Sequence, residues 1–158
     1  MDPYIAFYNK FKEKLFAYLM RYTGDCEISS DIMQESFTRY LERYRNQEYS
    51  ASLLYKIARN ALMDLLKKQK RDVHNVDEEY EDRSRSVEES LLIQEEYRDT
   101  LEGLQRLGHN EREVISLVLN GDLSYKEIAS IVGISEANVK VRVHRARTRL
   151  RELLSKGD

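Results

Sequence analysis

The chain has 158 residues, enough for one ordinary domain or two small ones, and it combines 41% hydrophobic with 34% charged residues. Six glycines, one proline and no tryptophan favour long helices over a turn-rich sheet protein. The net charge of −2 says little about partners, because positive and negative charges are segregated along the chain.

Three features argue against a secreted, membrane-spanning or catalytic protein. The single cysteine, Cys26, cannot close an internal disulfide, which is typical of a reducing compartment. The N-terminus has no apolar signal core, and no apolar run approaches the length of a membrane span. No paired carboxylates or Cys/His cluster show the spacing of a catalytic or metal site. We therefore expect a cytoplasmic protein that is not an enzyme, with no cofactor, no metal and no small-molecule substrate.

Three amphipathic helices are predicted in the first part of the chain. Residues 4–22 place apolar side chains three or four apart, and Gly24 ends this helix. A second helix follows, and its N-cap is expected at Ser29, Ser30 or Asp31. Residues 44–52 are polar and predict a loop, after which a third helix runs to about Arg71.

An acidic segment divides the chain. Residues 72–90 carry eight acids and two arginines and show no apolar period, which predicts a flexible linker. Helical periodicity returns at Leu91, and Asn110 is expected to cap a later helix. The sequence thus predicts an all-α fold of two small domains, 1–71 and 91–158.

A helix-turn-helix is predicted near the C-terminus. Ser124 and Glu127 have the spacing of a capping box, and Gly133 ends this short helix. A final helix is expected from near Ser135 to about Leu154. Rotation by ~100° per residue places one set of apolar side chains on a single stripe, which must face a core. The stripe consists of Val139, Val143, Ala146, Leu150 and Leu153.

The final helix is strongly basic. Residues 134–153 contain six cationic residues and only two acids, so pairing along the helix cannot neutralise the positive charge. The side opposite the apolar stripe carries Val141, His144, Arg145 and Thr148. The flanks carry Lys140, Arg142, Arg147, Arg149 and Arg151. An apolar back, a mixed front and cationic flanks are typical of a recognition helix in the major groove of DNA.

The third predicted helix has a second basic side, on which Asp64 is the only acid from 53 to 71. Its cations are Lys56, Arg59, Lys67, Lys68, Lys70 and Arg71. Two basic surfaces indicate nucleic acid bound at two places. In the preceding loop, Tyr44 or Tyr49 could stack on a single-stranded base, although packing at the core is the commoner role in a chain with 11 tyrosines.

Taken alone, these residues leave two other functions open. A stand-alone helix-turn-helix regulator would dimerise on a palindrome, but the sequence shows no sensor domain and no spare apolar helix for a dimer contact. A nucleic-acid enzyme would need the metal or carboxylate cluster that the sequence lacks.

Several segments together resemble the extracytoplasmic-function (ECF) class of bacterial sigma factors. They are DIMQESFTRYLERY (31–44), LLYKIARNALMDLLKKQKR (53–71), the acidic linker, and the run from LQRLGHNEREV to RARTRLREL (104–153). The resemblance covers nearly the whole chain, and the motifs follow each other in the order and with the spacing of the family. It implies two helical domains, σ2 (1–71) and σ4 (91–158), that bind core RNA polymerase and direct it to promoters.

The resemblance also implies three sets of contact residues. The clamp coiled coil of the polymerase β′ subunit would be bound by Asp31, Gln34, Glu35 and Arg39. The −10 element would be recognised and opened by Asn46, Tyr49, Lys56, Arg59, Asn60, Lys67, Lys68 and Arg71. The −35 element would be read by Ser135, Asn138, Lys140, Val141, Arg142, His144, Arg145 and Arg147. Further implied partners are the polymerase β flap and an anti-sigma factor, and the linker would run through the RNA exit path.

Two positions depart from the family pattern. Leu53 stands where the family usually has Trp, which implies altered local packing. Val141 stands where the recognition helix often has Ser, which bears on the identity of the −35 bases that are read.

Overall fold

The computed structural model describes residues 2–45, 48–71 and 95–155, and within these ranges the chain forms seven α-helices and no strand. Three helices come first: α1 (Pro3–Thr23), α2 (Cys26–Tyr44) and α3 (Ala51–Arg71). Four follow the acidic segment: α4 (Glu95–Gln105), α5 (His109–Val118), α6 (Tyr125–Val132) and α7 (Glu136–Ser155). The predicted all-α class is confirmed. The predicted linker and the start of the second predicted domain lie outside the described residues.

The predicted cap of α2 is wrong. Gly24 ends α1 as expected, with a left-handed φ of 65°. That one residue completes the turn, so Asp25 is free to cap the next helix and accepts a hydrogen bond from the Ile28 N–H at 3.0 Å. α2 therefore begins at Cys26, before the expected caps at Ser29, Ser30 or Asp31.

The predicted cap of α5 is also wrong. The N-cap is Gly108, which supplies no side-chain hydrogen bond, and Asn110 lies within the first turn. A tertiary contact fixes this start instead, because the first helical residue, His109, is hydrogen-bonded through Nδ1 to the hydroxyl of Tyr22. Tertiary context has here overridden the local capping preference.

The helices form two packed groups that follow the order of the sequence. α1 packs on α2, and α2 packs on α3. In the second group α5 and α6 pack on each other and on α7, and α4 also packs on α7. The apolar stripe predicted for α7 faces this core, since Val139, Val143 and Ala146 are buried.

The two groups pack directly against each other. α1 contacts α4 and α5, and α3 contacts α6. Buried apolar side chains continue across the boundary, so that Leu62 of α3, Leu117 of α5 and Ile131 of α6 belong to one cluster. We call the surface between α1–α3 and α4–α7 the seam. In this structure the two predicted domains therefore share a core.

Candidate nucleic-acid interface

A reciprocal capping box and a glycine turn build the helix-turn-helix. The Glu127 N–H donates to Ser124 Oγ at 3.1 Å, and the Ser124 N–H donates to Glu127 Oε1 at 3.0 Å. At the other end of α6, Gly133 has a φ of 82° and donates its N–H to the Ala129 carbonyl at 2.8 Å. The predicted motif is confirmed, and α7 begins after two further residues.

α7 presents a cationic outer face. Ser135 Oγ accepts a hydrogen bond from the Asn138 N–H at 3.1 Å and so stabilises the start of the helix. Along the helix Lys140, Arg145 and Arg147 are exposed. Within the described ranges none of these three forms an ion pair.

The outer face also carries neutral and apolar groups. His144 and Thr148 are exposed, and Val141 is 46% exposed although it is apolar. Arg142 is half-buried. The eight residues expected at the −35 element all lie on α7 or at its N-terminus, and each of them except the half-buried Arg142 is exposed.

A recess of about 190 Å³ lies between α2 and α3. Polar and apolar side chains surround it together. Its lining is Arg39, Arg43, Tyr44, Leu53, Lys56, Ile57 and Asn60. Lys56 and Asn60 were expected at the −10 element, and Arg39 at the polymerase. The structure brings these three together, and it adds Arg43, which lies one helical turn after Arg39 and was missed from the sequence.

The loop before α3 is held by tyrosines. The ring of Tyr49 stacks on Phe7, with centroids 5.0 Å apart and planes at 22°, and also on Tyr40 at 5.9 Å. Stacking of a base on Tyr49 would require these contacts to be given up, so the packing role left open by the sequence is the one observed. Asn46 lies outside the described residues.

The basic residues of α3 fall into two groups. Lys67, Lys68 and Arg71 are exposed at the C-terminal end of the helix. Arg59 instead points into the seam, where its Nε lies 2.5 Å from Oε1 of Glu113 in α5. Arg59 is therefore not free to bind a phosphate in this arrangement.

The residues expected at the polymerase share one side of α2. Asp31, Gln34 and Glu35 are exposed, and Arg39 is half-buried. Glu35 and Arg39 form an ion pair at 2.6 Å across one helical turn. Such a partly exposed pair contributes about 0.3–0.5 kcal/mol, so it can be broken by a partner at little cost.

Buried tyrosines and an arginine line the seam. Burial raises the pKa of Tyr55 to about 12 and also raises the pKa values of Tyr18 and Tyr22 above the ordinary value. Burial lowers the pKa of Arg21. The phenols are thus neutral at physiological pH and act as hydrogen-bonding groups.

Two kinds of site are not found in the described part of the chain. No group of three or more His, Cys, Asp or Glu side chains there is arranged to hold a metal ion. None of the helices described is long and apolar enough to cross a membrane.

Comparison with known proteins decides the family. The family model "Sigma-70 region 2" matches residues 7–72, and "Sigma-70, region 4" matches residues 97–150. The ECF RNA polymerase sigma factor SigM of Bacillus subtilis is 31% identical over 153 residues, which cover 95% of this chain and 94% of SigM. The chain belongs to the ECF sigma factors.

Other relatives agree with this assignment. EcfG of Rhodopseudomonas palustris, also an ECF sigma factor, is 30% identical, with coverage of 89% of this sigma factor and 78% of EcfG. In fold, the chain resembles RpoE in its complex with the anti-sigma factor NepR from Bartonella quintana, with a TM-score of 0.79 at 22% identity over 98% of each chain. The protein is thus a sigma factor that binds core RNA polymerase and directs promoter-specific initiation, and not a stand-alone regulator.

Proposed function

We propose that the sigma factor divides promoter recognition between its two halves. Residues 1–71 act as the σ2 domain at the −10 element, and residues 91–158 act as the σ4 domain at the −35 element. The acidic segment 72–90 connects them and follows the RNA exit path of the polymerase. The positions of the two region matches, 7–72 and 97–150, support this division.

The recess between α2 and α3 is the proposed site for an unpaired base of the −10 element. Extruding a base from the duplex costs a few kcal/mol, which a pocket and backbone contacts must offset. Asn60 offers an amide donor and acceptor for a base edge, while Tyr44 and Leu53 offer flat and apolar walls. Lys56 at its rim binds the adjacent phosphate.

Further contacts with the DNA backbone are proposed along α3, beyond the recess. Lys67, Lys68 and Arg71 project from its exposed end and are proposed to bind phosphates of the opened strand. Arg59 joins them once it is released from Glu113. Asn46 and Tyr49, which precede α3 in the sequence, are proposed as further contacts of the −10 element.

α7 is the proposed reader of the −35 element. Its capped N-terminus, with Ser135 and Asn138, enters the major groove first. Arg145 and His144 on the front face reach base edges, and Val141 packs against a thymine methyl. The flanking Lys140, Arg142 and Arg147 bind phosphates on the groove walls.

Two protein partners complete the proposal. The exposed side of α2, with Asp31, Gln34, Glu35 and Arg39, docks on the clamp coiled coil of β′, and the C-terminal half contacts the β flap. An anti-sigma factor is a further partner, because RpoE, which shares this fold, was solved in complex with the anti-sigma factor NepR.

The observation that carries the proposal is the convergence of Arg39, Lys56 and Asn60 on one recess. The same chain exposes Arg145 and Arg147 along the capped helix α7. The test is run-off transcription with purified core polymerase on DNA upstream of the protein's own gene and on sheared genomic DNA. We expect discrete start sites that depend on the protein and that share two sequence elements. Binding to a palindrome without polymerase, together with no transcripts, would contradict the proposal.

A further inference from the structure

The seam is held by specific polar contacts as well as by apolar packing. Arg21 of α1 donates to the Ser116 carbonyl in the last turn of α5 at 3.0 Å, and to Asn120 Oδ1, just after that helix, at 2.8 Å. In the reverse direction, Gln105 Nε2 of α4 donates to the Arg21 carbonyl at 3.1 Å. Asn120 Nδ2 also donates to the Tyr55 hydroxyl of α3. These bonds fix one mutual orientation of the two halves.

Glu113 is the central charge of the seam. It is 1% exposed, and its nearest basic partner is Arg59 of the other half, at 2.5 Å. His109, on its own helix, lies 3.4 Å away. A buried carboxylate is strongly destabilising without a partner, so closure of the seam depends on Arg59. A phosphate bound by Arg59 would leave Glu113 without that partner.

The closed arrangement is incompatible with the two promoter contacts. Elements named for positions −10 and −35 lie roughly 25 base pairs apart, or about 85 Å along B-DNA at 3.4 Å per base pair. Here α3 is in direct contact with α6, the first helix of the helix-turn-helix. The halves must therefore separate before both elements can be bound.

The seam also has features of a contact that can open. The Tyr18 hydroxyl, Ser116 Oγ and Arg112 Nε are buried, and among the described residues they have no hydrogen-bond partner. Each such group costs free energy in the closed state that water would recover on opening. A permanent core would be expected to satisfy them.

We propose that the Arg59–Glu113 pair is an intramolecular lock that holds the free sigma factor closed and masks a −10 contact. In the free protein the Glu113 carboxylate is paired with the Arg59 guanidinium. When the halves separate on the polymerase, DNA phosphate takes the place of the carboxylate. This inference rests on the proposed division of promoter recognition for two points, the need for the halves to separate and the nature of the competing ligand.

The first test measures the distance between the halves in the free, full-length protein. Spin labels are placed at two exposed positions, Glu13→Cys in α1 and Lys126→Cys in α6, on a Cys26→Ser background. Pulsed electron paramagnetic resonance should give one dominant short distance. Glu113→Gln should raise the population of longer distances by about tenfold, because it removes the charge that Arg59 needs.

Two further variants make this test decisive. Glu102→Gln makes the same charge change at an exposed position of α4 and should leave the distances unchanged. Asn120→Ala removes the hydrogen bonds to Arg21 and Tyr55 without changing charge and should also open the seam, with helix content checked by circular dichroism. A broad distribution in the unaltered protein, or unchanged distances in Glu113→Gln, would overturn the proposal.

The second test asks whether opening is required for transcription. Lys14 Nζ lies 3.0 Å from Asp122 Oδ2 across the seam, so Lys14→Cys and Asp122→Cys can be bridged by a cleavable bismaleimide on the Cys26→Ser background. The bridged protein should lose at least about tenfold in run-off transcription and recover on cleavage. Full activity while bridged would overturn the lock. Inactivity both before and after cleavage would count against the proposed function instead, and the distance measurement would still decide the lock.

Discussion

The hydroxyl of Tyr40 in α2 accepts a hydrogen bond from the backbone N–H of Ser50 at 2.8 Å. This bond ties the residue that precedes α3 to the middle of the N-terminal core, since Tyr40 is fully buried. Ser50 in turn accepts a hydrogen bond at Oγ from the Leu53 N–H at 3.2 Å. The Tyr40 hydroxyl thus ties the start of α3, and with it one wall of the recess, to the N-terminal core.

Tyr40→Phe should destabilise the fold by about 1–2 kcal/mol, because the half-buried Ser50 N–H loses its acceptor while the ring packing is retained. Urea unfolding gives this difference. Tyr8→Phe is the matched control, since Tyr8 is half-buried and its hydroxyl has no hydrogen bond within the described ranges. Equal losses for the two variants would mean that the Tyr40 bond has no special role.

The capping box of α6 gives a second stability prediction. Ser124→Ala removes the acceptor of the Glu127 N–H and should cost about 1 kcal/mol, seen as a lower Tm. Ser130→Ala, an exposed position near the end of the same helix, should change stability by less than about 0.5 kcal/mol. Because the cap also orients the turn before α7, Ser124→Ala should reduce −35 binding more than Ser130→Ala does.

Local patterns in the sequence were sufficient for the helix-turn-helix but not for the seam. The capping box, Gly133 and the buried stripe of α7 depend on residues within a few positions of each other, and all were predicted. The Arg59–Glu113 pair joins residues 54 apart. No periodicity signals that pair, and a glutamate is ordinarily expected at the surface.

The recess shows the same limit of prediction from local sequence patterns, here within the candidate site. Lys56 and Asn60 stood out because they lie on a basic helix, and Arg39 was expected to contact polymerase. Their convergence depends on how α2 faces α3, which only the three-dimensional packing defines. Arg43 could have been found from its spacing of four residues from Arg39, once the side of α2 that faces α3 was known.

The front and flank of α7 should respond differently to mutation. Arg145→Ala should cost about 1–3 kcal/mol on the preferred −35 sequence and relax specificity at one base pair, because a base contact is lost. Arg147→Ala should weaken binding equally across sequences and reduce the salt slope by about 1, because a phosphate contact is lost. Holoenzyme binding to promoter variants over a range of salt concentrations separates the two. Identical patterns would contradict the assignment of front and flank.

Asn60 should act in promoter opening rather than in polymerase binding. Asn60→Ala should reduce open-complex formation by roughly tenfold, measured by permanganate reactivity of −10 thymines, while affinity for core polymerase is unchanged. A promoter with a pre-formed mismatch bubble should recover part of the loss, because the cost of unpairing is removed.

Gln34→Ala, on the exposed side of α2, should have the opposite effects to Asn60→Ala. It should lower affinity for core polymerase and leave the opening of pre-assembled complexes unchanged. If Asn60→Ala instead weakened polymerase binding and Gln34→Ala impaired opening, the assignments of the recess and of α2 would have to be exchanged.

Tyr55 should make stability sensitive to alkaline pH. Burial raises its pKa from 10.0 to about 12, so the folded state favours the neutral phenol. The resulting stabilisation is fully present below pH 10 and is lost as pH rises from 10 toward 12, by up to about 2–3 kcal/mol. Urea unfolding at several pH values, with phenolate absorbance as a second signal, measures this decline.

Tyr55→Phe should be less stable at neutral pH, because Asn120 loses its acceptor, yet should show a shallower alkaline decline. A decline as steep as that of the unaltered protein would assign the pH dependence to Tyr18 or Tyr22, whose pKa values are also raised by burial.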